Sequence, residues 1–209
     1  MAERVGRLIV LSGPSGSGKS TVWARALAPR DPLVRLAVSA TTRQPRSGER
    51  DGVHYHFWTP EQFEQGIKDH AFLEWAEVYG KHKYGTLKSE VDPYLAQGTS
   101  VLLEIDVQGA LQVRKQRPDC VMVFLRASSL EEYERRLRAR HTESEEAMQR
   151  RLNAARTELD ASAQYDYQVI NDNLDEAVRN FSAILQEVAG VGQDSNPDKT
   201  TPGGAQRAG

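Results

Sequence analysis

A glycine-rich loop near the start of the chain has the residue types and spacing of a phosphate-binding site. It reads Gly13-Pro14-Ser15-Gly16-Ser17-Gly18-Lys19-Ser20 and fits the pattern G-x-x-x-x-G-K-[ST] in full. It lies between an apolar run typical of a buried strand and a run typical of a helix, the context that the motif requires. The glycines let backbone N–H groups surround a phosphate, the lysine reaches the outer phosphates, and the serine hydroxyl can coordinate Mg²⁺. The loop predicts a site for a purine nucleoside triphosphate and leaves the phosphate acceptor open.

A second stretch, VSATTRQPRSGERDGVHYHF at 38–57, has the composition of another phosphate site. Arg43 and Arg46 lie three residues apart, and a guanidinium can bind a phosphate through two parallel hydrogen bonds. The Tyr55 hydroxyl could donate one more. The alternative is a solvated basic loop, which two arginines alone would favour. Because a kinase needs a second substrate pocket, this stretch is the candidate acceptor site.

Glu74 is an acid among bulky apolar residues in the segment FLEWAEVYGKHKYGT at 72–86. A carboxylate there could accept two hydrogen bonds from a planar donor pair. Guanine presents such a pair, its ring N1–H and exocyclic amine, whereas adenine does not. The alternative is that Glu74 faces water on an edge strand, and the pattern alone favours neither interpretation.

Two acids follow the apolar run in LEIDVQGA at 103–110, namely Glu104 and Asp106. An acid at this point could hold Mg²⁺ through water or orient the acceptor phosphate. The alternative for Asp106 is capping of the next helix, which does not exclude the first role.

The segment RLRARHTESEEAMQRRL at 136–152 carries arginines at 136, 138, 140, 150 and 151. Arginines on a mobile lid can stabilise the charge that develops during phosphoryl transfer. The alternative is a solvated face interleaved with glutamates, which we expect for most of these arginines.

The composition is that of a soluble globular protein, with 39% hydrophobic and 27% charged residues in 209. The formal net charge of −2 predicts no nucleic-acid or membrane partner. The single cysteine, Cys120, lies among apolar residues, so we expect it to be buried, and its isolation fits a cytoplasmic protein.

Strand-like and helix-like segments alternate along most of the chain, which predicts a parallel sheet covered on both faces. The segment at 40–91 interrupts this alternation with short strands and predicts an inserted mixed lobe. Helix starts are expected at Thr59, Ser129, Thr142 and Asn173, each followed three residues later by Gln or Glu. We also expect a helix over about 87–97, and a disordered tail over 190–209, where large apolar residues are almost absent.

The motifs VLSGPSGSGKST, VSATTRQPRSGERDGVHYHF, FLEWAEV, YGT and LEIDVQGA, in this order, resemble the guanylate kinase family. The resemblance covers about residues 7–186. It implies an α/β P-loop nucleoside monophosphate kinase with a parallel-sheet core, a GMP-binding lobe and a helical lid. It also implies Mg²⁺-dependent phosphoryl transfer from ATP to GMP or dGMP.

The resemblance implies a role for each matching residue. The GMP phosphate would be held by Arg43, Arg46, Tyr55 and Tyr84. Guanine would be recognised by Ser39, Glu74 and Thr86. ATP would be held by residues 13–20 with Asn171 beside adenine. Catalysis would involve Lys19, Arg43, Asp106, Arg136, Arg140 and Arg151, and Mg²⁺ would lie near Ser20 and Asp106.

The expected division is a core of residues 1–39 and 92–189, a lid over about 127–160, and a GMP-binding lobe over 40–91. Two departures from the family pattern concern the lid, where ARHTE replaces a glycine-flanked arginine, and the turn before Tyr84, which is one residue longer. A non-catalytic binding module and a kinase for another phosphorylated acceptor are the competing interpretations. The intact phosphate loop argues against the first, and Glu74 with Thr86 argues against the second.

Overall fold

The fold is built on a six-stranded sheet with strand order β10-β9-β8-β1-β7-β2. The computed structural model describes residues 5–27, 33–78, 81–138, 145–190 and 206–207. The strands of this sheet are β1 (Leu8–Ser12), β2 (Val34–Leu36), β7 (Ser100–Glu104), β8 (Val121–Arg126), β9 (Tyr167–Ile170) and β10 (Gln206–Arg207). All neighbouring pairs are parallel except β9 and β10, which are antiparallel. The predicted parallel core is therefore confirmed.

The sheet is buried on both faces, and its central strands are apolar at all positions except some of their ends. Along β1, Leu8 and Val10 belong to one hydrophobic cluster, whereas Ile9 and Leu11 belong to the cluster on the opposite face. The covering helices are α1 (Lys19–Ala26), α3 (Asp92–Ala96), α4 (Val107–Gln116) and α7 (Leu174–Ala189). Strands covered in this way read as continuous apolar runs, which is the pattern that the sequence displays.

A second, mixed sheet has strand order β4-β3-β6-β5 and forms the core of the inserted lobe. Its elements are β3 (Ala40–Thr41), β4 (His56–Phe57), α2 (Pro60–Lys68), β5 (Phe72–Val78) and β6 (His82–Leu87). The predicted capping box is present at the start of α2, where Thr59 and Gln62 bond each other's backbone N–H groups. Phe63 stacks on Phe72 with ring centroids 4.4 Å apart, so α2 is anchored on this sheet.

One side chain of the core bonds to the backbone of β5, the edge strand of the lobe. Gln112 of α4 donates from Nε2 to the Trp75 carbonyl at 3.1 Å and accepts from the Trp75 N–H at 3.4 Å. A side-chain amide here makes both bonds that a neighbouring strand would make.

Two helices, α5 (Leu130–Arg138) and α6 (Glu145–Asp160), pack on each other beyond β8. Tyr133, Met148 and Leu152 form the small buried cluster between them. The predicted caps at Ser129 and Asn173 are confirmed, since each side chain accepts from the N–H three residues on. Thr142 lies outside the described residues.

One sequence expectation needs correction. The helix expected over 87–97 is a 3₁₀ turn at Lys88–Glu90 followed by α3, which begins at Asp92 beside Pro93. Proline lacks an N–H and favours the first turn of a helix, so the helix starts anew at this point. At the end of the chain, Gln206 and Arg207 form a short strand that pairs with Gln168 and Tyr167, and residues 191–205 and 208–209 of the expected disordered tail lie outside the described residues.

Cys120 is buried as expected, and burial raises the pKa of its thiol to about 11. None of the helices in the described part of the chain is long and apolar enough to cross a membrane.

Candidate active site

The glycine-rich loop joins β1 to α1 in a conformation that side chains would block. Gly13, Gly16 and Gly18 have φ values of 140°, 90° and 91°, which L-residues rarely adopt. A Cβ atom on Gly13 would lie 2.0 Å from the Leu125 carbonyl oxygen, and one on Gly18 would lie 2.5 Å from Asn171 Nδ2. The loop therefore needs glycine at these positions, and it places the N-terminus of α1 at the end of the central strand.

Lys19 is the first residue of α1 and folds back over the loop. Its Nζ donates to the carbonyl oxygens of Gly13 at 2.7 Å and Pro14 at 3.3 Å. Burial lowers the pKa of Lys19, although the carboxylates of Glu104, Glu158 and Asp106 oppose that effect. A partly desolvated ammonium held over a ring of backbone groups is suited to binding phosphate.

Ser20 contacts Glu104, not Asp106. Its hydroxyl donates to Glu104 Oε1 at 2.6 Å, and the Trp23 indole N–H donates to the other carboxylate oxygen. The parallel register of β1 and β7 sets Leu11 beside Glu104, which brings the acid next to the loop. A hydroxyl and a carboxylate are the oxygen ligands that Mg²⁺ prefers, so this pair fits the ion.

The acids and histidines of the described residues form no group of three that could hold a metal ion by itself. Mg²⁺ in phosphoryl-transfer sites is usually bound by one or two protein groups, the substrate phosphates and water. The Ser20–Glu104 pair matches that mode of binding.

Arg43 and Arg46 lie on the loop that follows β3, and Glu49 contacts both. Arg43 donates from Nη1 and Nη2 to the two Glu49 carboxylate oxygens, each at 2.9 Å, and from Nη1 to the Gln44 carbonyl at 2.8 Å. The Arg46 backbone N–H donates to Glu49 Oε2 at 2.7 Å, while the Arg46 side chain is exposed. The Arg43 guanidinium lowers the pKa of Glu49 to about 2.

Tyr55 and Tyr84 lie beside Arg43. Their rings are edge to face with centroids 5.9 Å apart, and the Arg43 guanidinium carbon lies 5.4 Å from the Tyr55 centroid. Glu49 first, and then the Tyr84 hydroxyl, raise the pKa of Arg43. Three of the four residues expected to hold a phosphate, Arg43, Tyr55 and Tyr84, thus lie together, and the Arg46 backbone is joined to Arg43 through Glu49.

Glu74 is buried, with 5% of its surface exposed, and faces Thr86 across the β5–β6 hairpin. The Thr86 hydroxyl donates to Glu74 Oε1 at 2.7 Å. Burial raises the pKa of Glu74 to about 7, opposed by this hydrogen bond and reinforced by Asp106. The solvent-facing alternative for Glu74 is excluded, and Tyr84 pairs with Ala76 two residues further along the same strands.

Asp106 caps α4 through a 2.8 Å hydrogen bond from the Gly109 N–H. A Cβ atom on Gly109 would lie 2.8 Å from Glu74 Oε2 and 3.5 Å from Asp106 Oδ1. The start of α4 therefore lies beside two carboxylates, its own capping residue Asp106 and Glu74 of β5. Ser39 is half-buried between the core and the lobe, where its carbonyl accepts from the His56 N–H at 2.9 Å.

Two of the three expected lid arginines are described. Arg151 of α6 donates to Ser15 Oγ of the glycine-rich loop at 2.7 Å. Arg136 of α5 donates to Glu132 at 2.7 Å and to the Asn171 carbonyl. Arg140 lies outside the described residues.

Asn171 follows β9 and is buried, and its Nδ2 donates to the Ser17 carbonyl at 2.7 Å. Its side chain thus braces the glycine-rich loop from the side where Arg136 lies.

Glu49 and Glu158 were not singled out from the sequence. Glu49 is one of several charged residues in its loop, so nothing in the neighbouring sequence indicates that it pairs with Arg43. Glu158 of α6 interacts electrostatically with Lys19, which opposes the rise that burial causes in the pKa of Glu158. The interaction between Glu158 and Lys19 depends on how α6 packs against the glycine-rich loop, and the spacing of residues along the sequence does not indicate it.

Comparison with known proteins gives matches over most of the chain. The family model described as guanylate kinase matches residues 5–188. A guanylate kinase from Rubrobacter xylanophilus is 50% identical over 189 residues, which cover 90% of this chain and 98% of that protein. One from Caldanaerobacter subterraneus subsp. tengcongensis is 47% identical and covers 88% of each chain. The crystal structure of guanylate kinase from Anaplasma phagocytophilum is similar at a TM-score of 0.70 and 30% identity, covering 90% of this chain and 89% of that one.

Proposed function

This chain belongs to the guanylate kinase family, and we propose that it transfers the γ-phosphoryl group of ATP to GMP or dGMP. The products are ADP and GDP or dGDP. The observation that carries the choice of acceptor is the buried Glu74–Thr86 pair. Two acceptor oxygens in a desolvated pocket need a partner with two adjacent N–H donors, which guanine supplies.

In the proposed reaction, an oxygen of the GMP phosphate attacks the γ-phosphorus of ATP in line with the departing ADP, and no covalent intermediate forms on the protein. The protein contributes positioning and charge stabilisation. Residues 13–20 hold the ATP phosphates through backbone N–H groups and Lys19. Asn171 lies beside adenine.

The acceptor is held at both ends. Arg43, Arg46, Tyr55 and Tyr84 bind the GMP phosphate, and Ser39, Glu74 and Thr86 bind the base. Asp106, which caps α4 beside Glu74, helps to orient the acceptor. Fixing both ends of GMP sets the attacking oxygen at a defined distance from the donor.

Mg²⁺ would be held by Ser20, with Glu104 in contact and Asp106 nearby, and would screen the charge of the ATP phosphates. The residues alone left Glu104 and Asp106 both open as the acid near the ion, and the family resemblance implied Asp106. The contact between Ser20 and Glu104 supports adding Glu104 to that assignment.

We divide the chain into a core of residues 1–39 and 92–189, a lid over about 127–160, and a GMP-binding lobe over 40–91. Arg136, Arg140 and Arg151 of the lid would approach the moving phosphoryl group. Closure of lid and lobe would exclude water, which is a competing acceptor. We place the enzyme in the cytoplasm, where both substrates occur.

The proposal is tested by incubating the purified protein with ATP, Mg²⁺ and one acceptor at a time. The acceptors compared are GMP, dGMP, AMP, UMP and ribose bisphosphate. We expect GMP and dGMP to be preferred over the others by orders of magnitude, measured as ADP formation in a coupled assay. Absence of ADP formation with GMP would support a binding module. Preference for a sugar phosphate would support the other competing interpretation.

A further inference from the structure

The chain passes between the core and the lobe twice, and one carboxylate makes contacts at both passages. The first passage joins β2 to β3, and the second is the 3₁₀ turn Lys88–Glu90 between β6 and α3. Glu90 Oε2 accepts from Arg35 Nη2 at 2.6 Å and from the Val38 N–H at 3.3 Å. The other oxygen, Oε1, lies 3.0 Å from Nε2 of His56 in β4. A single side chain therefore contacts a core strand, the first passage and a lobe strand.

Arg35 holds Glu90 from the core side and is itself held by other groups. Its guanidinium carbon lies 3.6 Å from the centroid of the Tyr94 ring in α3, and its Nη1 donates to the Glu90 carbonyl at 3.2 Å. The strand that carries Arg35 pairs with β7, where Arg35 lies beside Val101. The acid is thus attached to a part of the core that is fixed by stacking and by the sheet.

Glu90 is in its carboxylate form at neutral pH, and His56 donates to it. Burial favours the neutral acid, but hydrogen bonds from His56 and from the Val38 N–H, with the charge of Arg35, outweigh burial and lower the pKa of Glu90. Because an ionised carboxylate only accepts, the His56 ring carries a proton on Nε2. Each partner therefore donates to a charged acceptor, which makes the stronger kind of hydrogen bond.

The contacts of Glu90 close a ring of hydrogen bonds around the acceptor site. The Ser39 carbonyl accepts from the His56 N–H at 2.9 Å, so a path from Glu90 through Val38, Ser39 and His56 returns to Glu90. Ser39, which would bind guanine, belongs to this ring. Tyr55, which would bind the GMP phosphate, directly precedes His56. The positions of residues at both ends of the expected GMP site therefore depend on the same carboxylate.

We propose that Glu90 is a positioning residue of the acceptor site, which holds Ser39 and the strand that follows Tyr55 in place against the core. This inference rests on the proposed function. In this role Glu90 touches neither substrate and acts through the Val38 backbone and the His56 ring. The alternative is that Glu90 only stabilises the fold, in which case its loss would lower the melting temperature and leave nucleotide affinity unchanged.

The experiment uses full-length variants and measures dissociation constants by calorimetry for GMP, guanosine and ATP, well below every melting temperature. Glu90→Ala removes all side-chain contacts of the acid. Glu90→Gln is the conservative variant, because its amide oxygen can accept from Arg35 and Val38 while its amide N–H donates to the other tautomer of His56. Thr59→Ala is the matched control, since it removes the cap of α2 and so destabilises the same lobe outside the ring.

We expect Glu90→Ala to weaken the binding of GMP and of guanosine by about tenfold, as loss of hydrogen bonds to a charged group does. ATP affinity should stay within about twofold, because its site is separate. Glu90→Gln should recover most of the loss, and Thr59→Ala should lower the melting temperature without changing affinity. His56→Leu, which opens the ring in the lobe, should also weaken GMP binding, and Glu90→Ala should cost less in that background than alone.

Unchanged GMP affinity in Glu90→Ala would overturn the proposal and leave the acid a stabilising role only. Equal weakening for ATP, or in Thr59→Ala, would overturn it by pointing to general loosening of the protein or the lobe. If Glu90→Ala does not fold, His56→Leu decides, and parent-like GMP affinity in that variant counts against the proposal. Parent protein that fails to bind GMP would overturn the proposed function as well.

Discussion

The hydroxyl of Thr86 donates a 2.7 Å hydrogen bond to a carboxylate oxygen of Glu74, and both residues are buried. The backbone of Thr86 also bonds to this carboxylate, yet burial outweighs both bonds and raises the pKa of Glu74 to about 7. A carboxylate has about four acceptor positions, so Glu74 can accept further N–H donors in addition to Thr86.

Replacement of Glu74 by Gln should weaken GMP binding by about 10²-fold or more, because the amide nitrogen would face the donors of guanine. ATP binding should be unchanged, since the glycine-rich loop lies elsewhere. Calorimetric titration of the variant with GMP and with ATP measures the two affinities. Glu77→Gln, an exposed acid on the same strand, is the control. Normal GMP turnover in Glu74→Gln would refute the guanine-recognition role.

The affinity for GMP should rise with pH. Guanine donates two N–H groups and therefore requires the carboxylate form, whereas burial raises the pKa of Glu74 to about 7 in the free protein. Below this pKa, each pH unit should reduce affinity by up to about tenfold, because a proton must leave before the base binds. Above about pH 8 the affinity should level off. Titrations with guanosine between pH 5.5 and 8.5 isolate this effect from ionisation of the phosphate, and a flat profile would contradict it.

The same carboxyl should make stability depend on pH in a definite direction. Its pKa is higher in the folded chain than the ordinary 4.5, so the folded state binds more protons between about pH 4.5 and 7. The contribution of Glu74 to stability is therefore present at low pH and is lost as pH rises through about 7. We expect Glu74→Gln to raise the melting temperature relative to the parent at pH 8 and to change it little at pH 5. Equal shifts at the two pH values would contradict the assignment.

Arg151→Ala should lower kcat by about 10²-fold or more with a small change in KM for GMP, because this arginine reaches the glycine-rich loop and would stabilise charge in the transition state. Arg150→Ala is the matched control, since Arg150 is the neighbouring exposed arginine on the same helix. Steady-state kinetics with ATP and GMP separate the two parameters. A similar loss in both variants would indicate an effect of net charge on the lid.

Gly109→Ala should weaken GMP binding even though alanine is the better helix former. The added Cβ would lie 2.8 Å from Glu74 Oε2 and would push the carboxylate out of place. Alanine in a helix is favoured over glycine by about 0.5–1 kcal/mol, so a loss of stability in α4 would not explain weaker GMP binding. Isothermal titration with GMP measures the change, and Gln108→Ala, at an exposed position one residue earlier, is the control. An unaltered GMP affinity would show that the pocket has room.

The sequence predicts best those features that are local in the chain. The glycine-rich loop and its flanking strand and helix are recognisable because motif, apolar run and helix start are contiguous. The caps at Thr59, Ser129 and Asn173 are recognisable for the same reason. The parallel order of the core follows from the alternation of strands and helices.

The relations across the fold were harder to predict. Glu74 could not be assigned to a buried or an exposed face until the β5–β6 register paired it with Thr86. The preference of Ser20 for Glu104 over Asp106 comes from the register of β1 and β7, which two separate apolar runs do not specify. Glu49 pairs with Arg43 because the chain turns between them, with Gly48 at a φ of 86°.

The two hydrogen bonds between Gln112 and Trp75 also affect how separate molecules meet. An edge strand with free N–H and C=O groups is a template for pairing with another chain, and such pairing leads to aggregation. Because a side-chain amide saturates the middle of β5, an incoming strand would have to displace it before it could extend the sheet. The same glutamine that bonds the lobe to the core thereby occupies one point at which a strand could be added to this edge.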